Sequence, residues 1–433
     1  MIRECLVIKN QFKSFSIIEK IACTFPFFAI LGAAIVNLFY ILIILTSLIY
    51  FINRKAEFKC NKNFIVYFIL PYIIILLSYL FSDYKNFSNL LRSLLSFKFL
   101  ILPFIFLFFV KNKFFFRVLG FNSFIISAFL GCDIFFQFFL GYDFFGIKSS
   151  MENRYSGFLG EEFVAGSFIS FFCIYFFLYF DLDKSILKKY IFIFLISTFF
   201  LFVIIITGER LAFLRFFFLL IFIYIFYPKN IKIKIITLVA FIIIIANIFI
   251  FNKSSKTRVY ELLFFMGLNN KITEYNPGYA SLPKDNKLSN SPWISHWKTS
   301  YLIFKDHKIT GVGLKNFREA CKEEKYQSYN IINNNYSSSC TTHPHNVYFE
   351  IASELGLIGL MYFFYILIIF FQKFKNDLLK NFKKKKNSVL FSLIFLFSFI
   401  PFLPSGSIFS SYSGGILFFM ISTYIVFKKN DYK

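Results

Sequence analysis

The run IACTFPFFAILGAAIVNLFYILIILTSLIYFI, from Ile21 to Ile52, carries no charged side chain. At about 1.5 Å of rise per residue, a single helix of that length overshoots a hydrocarbon core of about 30 Å, so the run reads as a hairpin turning near Asn37. This reading decides the topology. Two crossings here give an even number of spans in the chain, whereas one crossing leaves eleven and reverses half the loops.

Apolar runs of similar character recur outward from this one to the C-terminus. The chain is 58% hydrophobic and contains 72 Phe, with a mean hydropathy of +0.65. Runs bounded by charged or turn residues lie near 16–34, 37–53, 63–81, 95–110, 118–140, 162–180, 190–207, 211–227, 232–251, 345–371, 388–403 and 411–427. The expected fold is an all-α polytopic membrane protein of about 12 transmembrane helices, with one long loop between helices 9 and 10. One integral membrane domain then divides into nine helices over 1–251, a loop region over 252–344 and three helices over 345–433.

A net charge of +24 raises the question of a nucleic-acid partner, and its placement answers it. With a cytoplasmic N-terminus, clusters such as Lys9/Lys13/Lys20, Lys111/Lys113/Arg117, Lys383/Lys384/Lys385/Lys386 and Lys428/Lys429/Lys433 all fall on one side, as the positive-inside rule requires. Topology accounts for the charge, and no nucleic-acid partner is expected. Both termini are then cytoplasmic and the long loop lies on the outer face. Enrichment in Phe, Ile, Lys and Asn is also what an AT-rich coding sequence produces, so no function is drawn from the phenylalanines. The first twenty residues mix charge throughout and show no small-residue cleavage site, which leaves the first span as the insertion signal.

Most of the seven cysteines fall in spans or near the inner face. Cys321 and Cys340 sit in the long outer segment, where an oxidising compartment would allow a disulfide closing EEKYQSYNIINNNYSSS. Their spacing with the nearby histidines matches no common zinc pattern, so neither a metal nor a cofactor is expected.

Polar chemistry concentrates in THPHNVYFEIASELGLIGL, Thr342 to Leu360, where a polar loop becomes an apolar helix holding two of the chain's four histidines. Thr341 or Thr342 is expected to cap that helix, with Pro344 and His345 in its first turn. A helix N-terminus attracts phosphate and favours a neutral imidazole, so a diphosphate and a general base both suit the place. Asn346, Glu350 and Glu354 recur every four residues and form a polar stripe that should face the bundle interior. Arg210, in TGERLAFL, and Arg154, in RYSGFLGEEFVAG, lie on the same expected side. An arginine at a span end is commonly an interfacial anchor, but two of them near a histidine suit bidentate phosphate binding. Glu161, Glu162 and Glu209 are the carboxylates that a magnesium ion would have to use.

TGERLAFL, RYSGFLGEE, HKITGVGLKNFREAC (His307–Cys321) and CTTHPHNVYFEIASELGLIGL (Cys340–Leu360) resemble the signature segments of the bacterial O-antigen ligase and O-antigen polymerase superfamily. The His-x-His-Asn segment followed by Glu-Leu-Gly is the specific part. The resemblance implies a metal-independent glycosyltransferase of the bacterial inner membrane that takes a glycan from undecaprenyl diphosphate on the periplasmic side and inverts the anomeric carbon. It implies His345 as the general base, His343 as its assistant, and Arg210 and Arg154 as holders of the lipid diphosphate. Relatives often carry an arginine shortly before the Trp that precedes the GVG segment. This chain reads SPWISHW there, and Arg258 or Lys298 would have to substitute. Ligase and polymerase share the donor and differ in the acceptor, lipid A core for one and a lipid-linked glycan for the other; the long loop ending in the histidine helix favours the ligase. A lipid-linked sugar flippase or transporter is the competing class. Against it, the sequence shows no inverted repeat and no matching pair of broken helices.

Overall fold

In the computed structural model the described residues are 2–54, 65–150, 154–160, 164–180, 187–227, 231–251, 260, 292–327, 339–379, 382–401 and 403–430. Arg258, Glu161, Glu162 and much of the 252–344 loop lie outside them. Among the described residues the regular structure is helical, with an isolated bridge between Tyr142 and Lys148.

The uncharged opening run does break, five residues earlier than Asn37. Helices α1 (Ile2–Lys13), α2 (Ile17–Cys23) and α3 (Phe25–Ile30) lead to a turn at Leu31 and Gly32, where Gly32 has φ +95°, and α4 (Ala33–Arg54) packs back against α2 and α3. Asn37 instead lies inside α4, where its carboxamide accepts a hydrogen bond from Lys98 Nζ at 2.6 Å. The turn forms at the glycine because the left-handed backbone there costs Asn more than Gly.

The chain continues through a π-helical turn, Ile65–Ile69, into α5 (Leu70–Leu80), then α6 (Phe87–Leu95), capped by the Asn86 side chain, and α7 (Phe97–Phe109). Next come α8 (Phe115–Leu140), α9 (Ala165–Tyr179), α10 (Leu187–Thr207), α11 (Arg210–Phe226) and α12 (Ile231–Phe251). Within the 252–344 segment the described helices are α13 (Pro292–Asp306) and α14 (Phe317–Ala320), and after it come α15 (Val347–Leu379), α16 (Phe382–Ser398) and α17 (Ser413–Asn430). Five helical stretches are long and apolar enough to cross a membrane: Ala33–Asn53, Phe87–Phe109, Phe115–Leu140, Tyr190–Thr207 and Val347–Leu379. Shorter apolar helices accompany them at Val66–Leu80, Ala165–Tyr179, Lys234–Ile243 and Asn387–Ser398.

Aromatic side chains fill the core. Phe25, Phe39, Phe106, Phe172 and Phe176 are fully buried, and Phe25 stacks on Phe419 with centroids 4.0 Å apart. Cross-helix polar bonds fix the order: Tyr40 donates to the Gly415 carbonyl at 2.8 Å, joining α4 to α17, and Tyr175 and Thr423 share a hydrogen bond of 2.6 Å between α9 and α17. The buried hydroxyls of Tyr40, Tyr175 and Thr423 are tolerated at this depth because each finds a partner.

Helix α15 positions the candidate site. It packs on α5, α13 and α16, and it is broken at Gly356, where the backbone takes φ +64° and ψ −160°. The freed backbone groups are met by the 308–313 loop. Val312 N–H donates to Ser353 O and Gly313 N–H to Glu354 O, both at 2.9 Å, while Leu357 N–H donates to Lys308 O at 2.7 Å. A helix break inside an apolar bundle persists only when a neighbouring segment supplies these bonds.

Candidate functional site

The His-x-His segment does not begin the helix. His345 has φ +54°, which takes it out of helical geometry, and the first helical residue is Val347. Asn346 caps α15, its side-chain oxygen accepting from Tyr348 N–H at 3.0 Å and Phe349 N–H at 3.3 Å. Thr341 and Thr342 serve the loop instead. Thr341 Oγ1 donates to His343 O at 2.7 Å, and Thr342 Oγ1 lies 3.0 Å from His343 Nδ1. The physical reason for the difference is the pair Pro344–His345: proline disfavours helical geometry in the residue before it, and the left-handed His345 delays the helix by a further residue.

This conformation folds the two imidazoles onto each other, with ring centroids 4.1 Å apart. A third histidine, His296 on α13, stands 5.5 Å from His345, and Trp293 meets His345 edge-on at 5.2 Å. His296 Nδ1 lies 3.0 Å from Ser339 O, so it must carry the proton, leaving Nε2 as an acceptor. Burial lowers the pKa of all three rings; the charges of Arg318, His296 and Lys315 lower it further for His343, which falls to about 4, and those of His343 and His296 for His345, which falls to about 3. All three are neutral at physiological pH. His343 Nε2 is buried without a hydrogen-bond partner.

The segment carrying the pair is pinned from three directions. Cys321 and Cys340 are joined in a disulfide with Cα atoms 5.1 Å apart, which ties α14 to the residues just before His343. Ser405 N–H donates to His345 O at 2.8 Å. The 403–408 turn that supplies Ser405 is itself held by α15, since Ser407 Oγ and Ile408 N–H donate to the Glu350 carboxylate. One turn further along, Glu354 accepts from Lys315 N–H at 2.7 Å. Asn346, Glu350 and Glu354 are all buried.

Lys315 and Arg318 reach the same place from the loop and α14, and their charge bears on His343. Neither was a candidate from the sequence, nor was His296. Each lies inside a quoted motif, but single cations and a lone histidine in a polar loop carry no local signal of convergence. The fourth histidine is elsewhere: His307 Nδ1 lies 3.6 Å from Asp83, and its Nε2 is 3.3 Å from Tyr326 Oη.

The arginine candidates belong to a second polar group. Arg154 packs against Gly208 and donates to Thr207 O at 3.4 Å. Glu209 beside it caps α9, accepting from Gly166 N–H at 2.6 Å and Ser167 N–H at 2.9 Å. Arg210 opens α11 immediately after Glu209. One turn on, buried Arg215 bonds Ser170 Oγ at 2.9 Å and lies 3.8 Å over the Phe171 ring. Lys298 is exposed on α13, about 200° around the helix from buried His296. Among the described residues no group of three His, Cys, Asp or Glu side chains stands in a metal-holding arrangement.

A bundle of helices, five stretches of which are long and apolar enough to cross a membrane, defines a polytopic membrane protein, and a histidine cluster marks its candidate site. Residues 192–364 match the family model described as O-Antigen ligase. The match takes in the His343–His345 segment, Arg210, His296, Lys315 and Arg318, and leaves Arg154 outside. No curated protein matches the chain.

Proposed function

We propose that this protein is an O-antigen ligase-like glycosyltransferase of the bacterial inner membrane, acting on the periplasmic side. It moves a glycan from undecaprenyl diphosphate to a sugar hydroxyl of lipid A core. The observation that carries this reading is the packing of His343 and His345 at 4.1 Å, with His296 completing the cluster, inside the matched segment.

In this mechanism a neutral imidazole, assigned to His345, accepts the proton of the acceptor hydroxyl as its oxygen attacks the anomeric carbon. The bond from that carbon to the diphosphate oxygen breaks on the opposite side, the electron pair leaves with the diphosphate, and the configuration inverts. A depressed pKa makes His345 a weak base in the empty site. The incoming diphosphate corrects this, because negative charge nearby favours the imidazolium. His343 orients its neighbour. Arg154 and Arg210 are the sequence candidates for holding the diphosphate and stabilising the charge that develops on it.

The test is genetic complementation with wild type, His345→Ala and Arg210→Ala at matched membrane expression, with lipopolysaccharide and the lipid-linked glycan pool resolved together. A ligase predicts that His345→Ala leaves bare core while long lipid-linked glycan accumulates. Core bearing a single repeat would instead identify a polymerase, and an unchanged pattern would sink the transferase reading in favour of a flippase or transporter.

A further inference from the structure

Lys315 and Arg318 are half-buried cations that the Glu350 and Glu354 carboxylates attract without forming an ion pair. Among the described residues neither side chain makes an ion pair or a hydrogen bond, and Arg318 Nε is buried with no partner. The direct hydrogen bonds of these two carboxylates go elsewhere. Glu350 takes its bonds from Ser407 and Ile408, and Glu354 takes its bond from the backbone of Lys315. Two further cations, Arg92 and Lys98, are near enough to repel Lys315. Their own polar partners are neutral: Asn89 for Arg92 at 2.8 Å and Asn37 for Lys98 at 2.6 Å.

Four cations gather here against two carboxylates, and burying such an excess of charge is costly unless an anion completes the site. The backbone points the same way. Lys315, with φ +59°, and His345, with φ +54°, are the non-glycine residues of positive φ among the described residues. Strain of this kind persists where the surroundings impose it. Here the imposing features are the Lys315 N–H bond to Glu354 on one side and the Ser405 bond to His345 on the other. The Cys321–Cys340 disulfide then holds Arg318, three residues before Cys321, beside His343, three residues after Cys340.

We propose that Lys315 and Arg318 form a phosphate-binding subsite facing the His343–His345 pair, separate from the Arg154–Glu209 group. Guanidinium and ammonium side by side suit a phosphate with several free oxygens. The identity of that phosphate rests on the transferase reading: it is either the diphosphate of the lipid-linked donor or a phosphate on the acceptor lipid. The existence of the subsite does not depend on that reading.

The experiment uses the full-length protein in neutral phosphatidylcholine nanodiscs. Binding of undecaprenyl diphosphate, bisphosphorylated lipid A and undecaprenol is compared for wild type, Lys315→Ala, Arg318→Ala and Arg318→Lys. Each alanine variant is expected to weaken one phosphate-bearing lipid roughly tenfold or more, with undecaprenol unchanged and Arg318→Lys recovering part of the loss. Loss for undecaprenyl diphosphate assigns the subsite to the donor, and loss for lipid A assigns it to the acceptor. Unchanged binding of both, or equal loss for undecaprenol, overturns the proposal. Should Arg318→Ala fail to keep its disulfide and melting transition, Arg318→Gln and Arg318→Lys carry the comparison. Glycan transfer is assayed on the same wild-type preparation. Arg318-dependent phosphate binding without transfer would retire the transferase reading and leave the subsite, whereas transfer by wild type with binding indifferent to both residues would do the reverse.

Discussion

Gly311 and Gly356 meet backbone to backbone, with φ +70° and φ +64°, and neither position has room for a Cβ. One built on Gly356 would stand 2.6 Å from Gly311 N and collide with Ile309; one on Gly311 would stand 2.6 Å from Leu355 N. The ITGVG loop can therefore dock into the broken α15 only if both residues are glycine. Gly356→Ala adds left-handed strain to a backbone collision and should cost roughly 3 kcal/mol or more. A melting curve in detergent reads the loss, and Gly32→Ala, where φ is +95° but an added Cβ meets nothing within 4 Å, should cost less. Equal melting of the Gly356 variant and wild type would refute this account of the kink.

His296 tests the cluster independently of the motif that announced it. Its Nδ1 proton is committed to Ser339 O, so the acceptor Nε2 remains available beside His345. His296→Ala should lower glycan transfer by roughly 10- to 100-fold, the range of a group assisting proton transfer. Activity indistinguishable from wild type would confine His296 to a packing role.

The neutral imidazoles also predict a sign for the pH dependence of stability. Both His343, at about 4, and His345, at about 3, bind a proton less readily when folded than the unfolded value of about 6.5. Between pH 6.5 and 4 the unfolded state therefore holds more protons, and stability falls as pH falls; above 6.5 these groups contribute no slope. Melting temperatures of wild type should drop more steeply from pH 6.5 to 4.5 than those of His343→Gln/His345→Gln. Parallel curves would rule out the histidines as the source.

How much of this was legible beforehand divides by the range of the interaction. Polytopic helical character follows from composition, and the Cys321–Cys340 pairing from the placement of both cysteines in one polar segment, since both are local readings. The Asn37 turn was misplaced because a long apolar run gives no amphipathic phase, and only the glycine five residues earlier marks the break. The helix start at Val347 was hidden by the left-handed His345, a conformation set by Ser405, which lies sixty residues away in the chain. His296, Lys315 and Arg318 were invisible as a group because nothing in one segment records what another brings beside it.

The disulfide makes the site redox-dependent. Closing a loop of about this length restricts the unfolded chain by roughly 3 kcal/mol, and here it also fixes Arg318 relative to His343. Cys321→Ser should produce a reduced-mobility shift on non-reducing gels and a lower melting temperature. Transfer should fall through weaker substrate binding rather than slower chemistry, because the histidines keep their bonds to Thr341, Thr342 and Ser405.

Glu350 offers the finest distinction, because it acts at one remove. Its carboxylate holds Ser407 and Ile408, and the same turn delivers Ser405 to the His345 carbonyl. Glu350→Ala removes the anchor of that turn, while Glu350→Gln keeps an oxygen to accept one of the two bonds. If Glu350 positions His345 without touching substrate, Glu350→Ala should depress kcat by roughly tenfold or more with KM little changed, and Glu350→Gln should restore much of it. A reciprocal pattern, with KM raised and kcat preserved in both variants, would place Glu350 against the substrate instead.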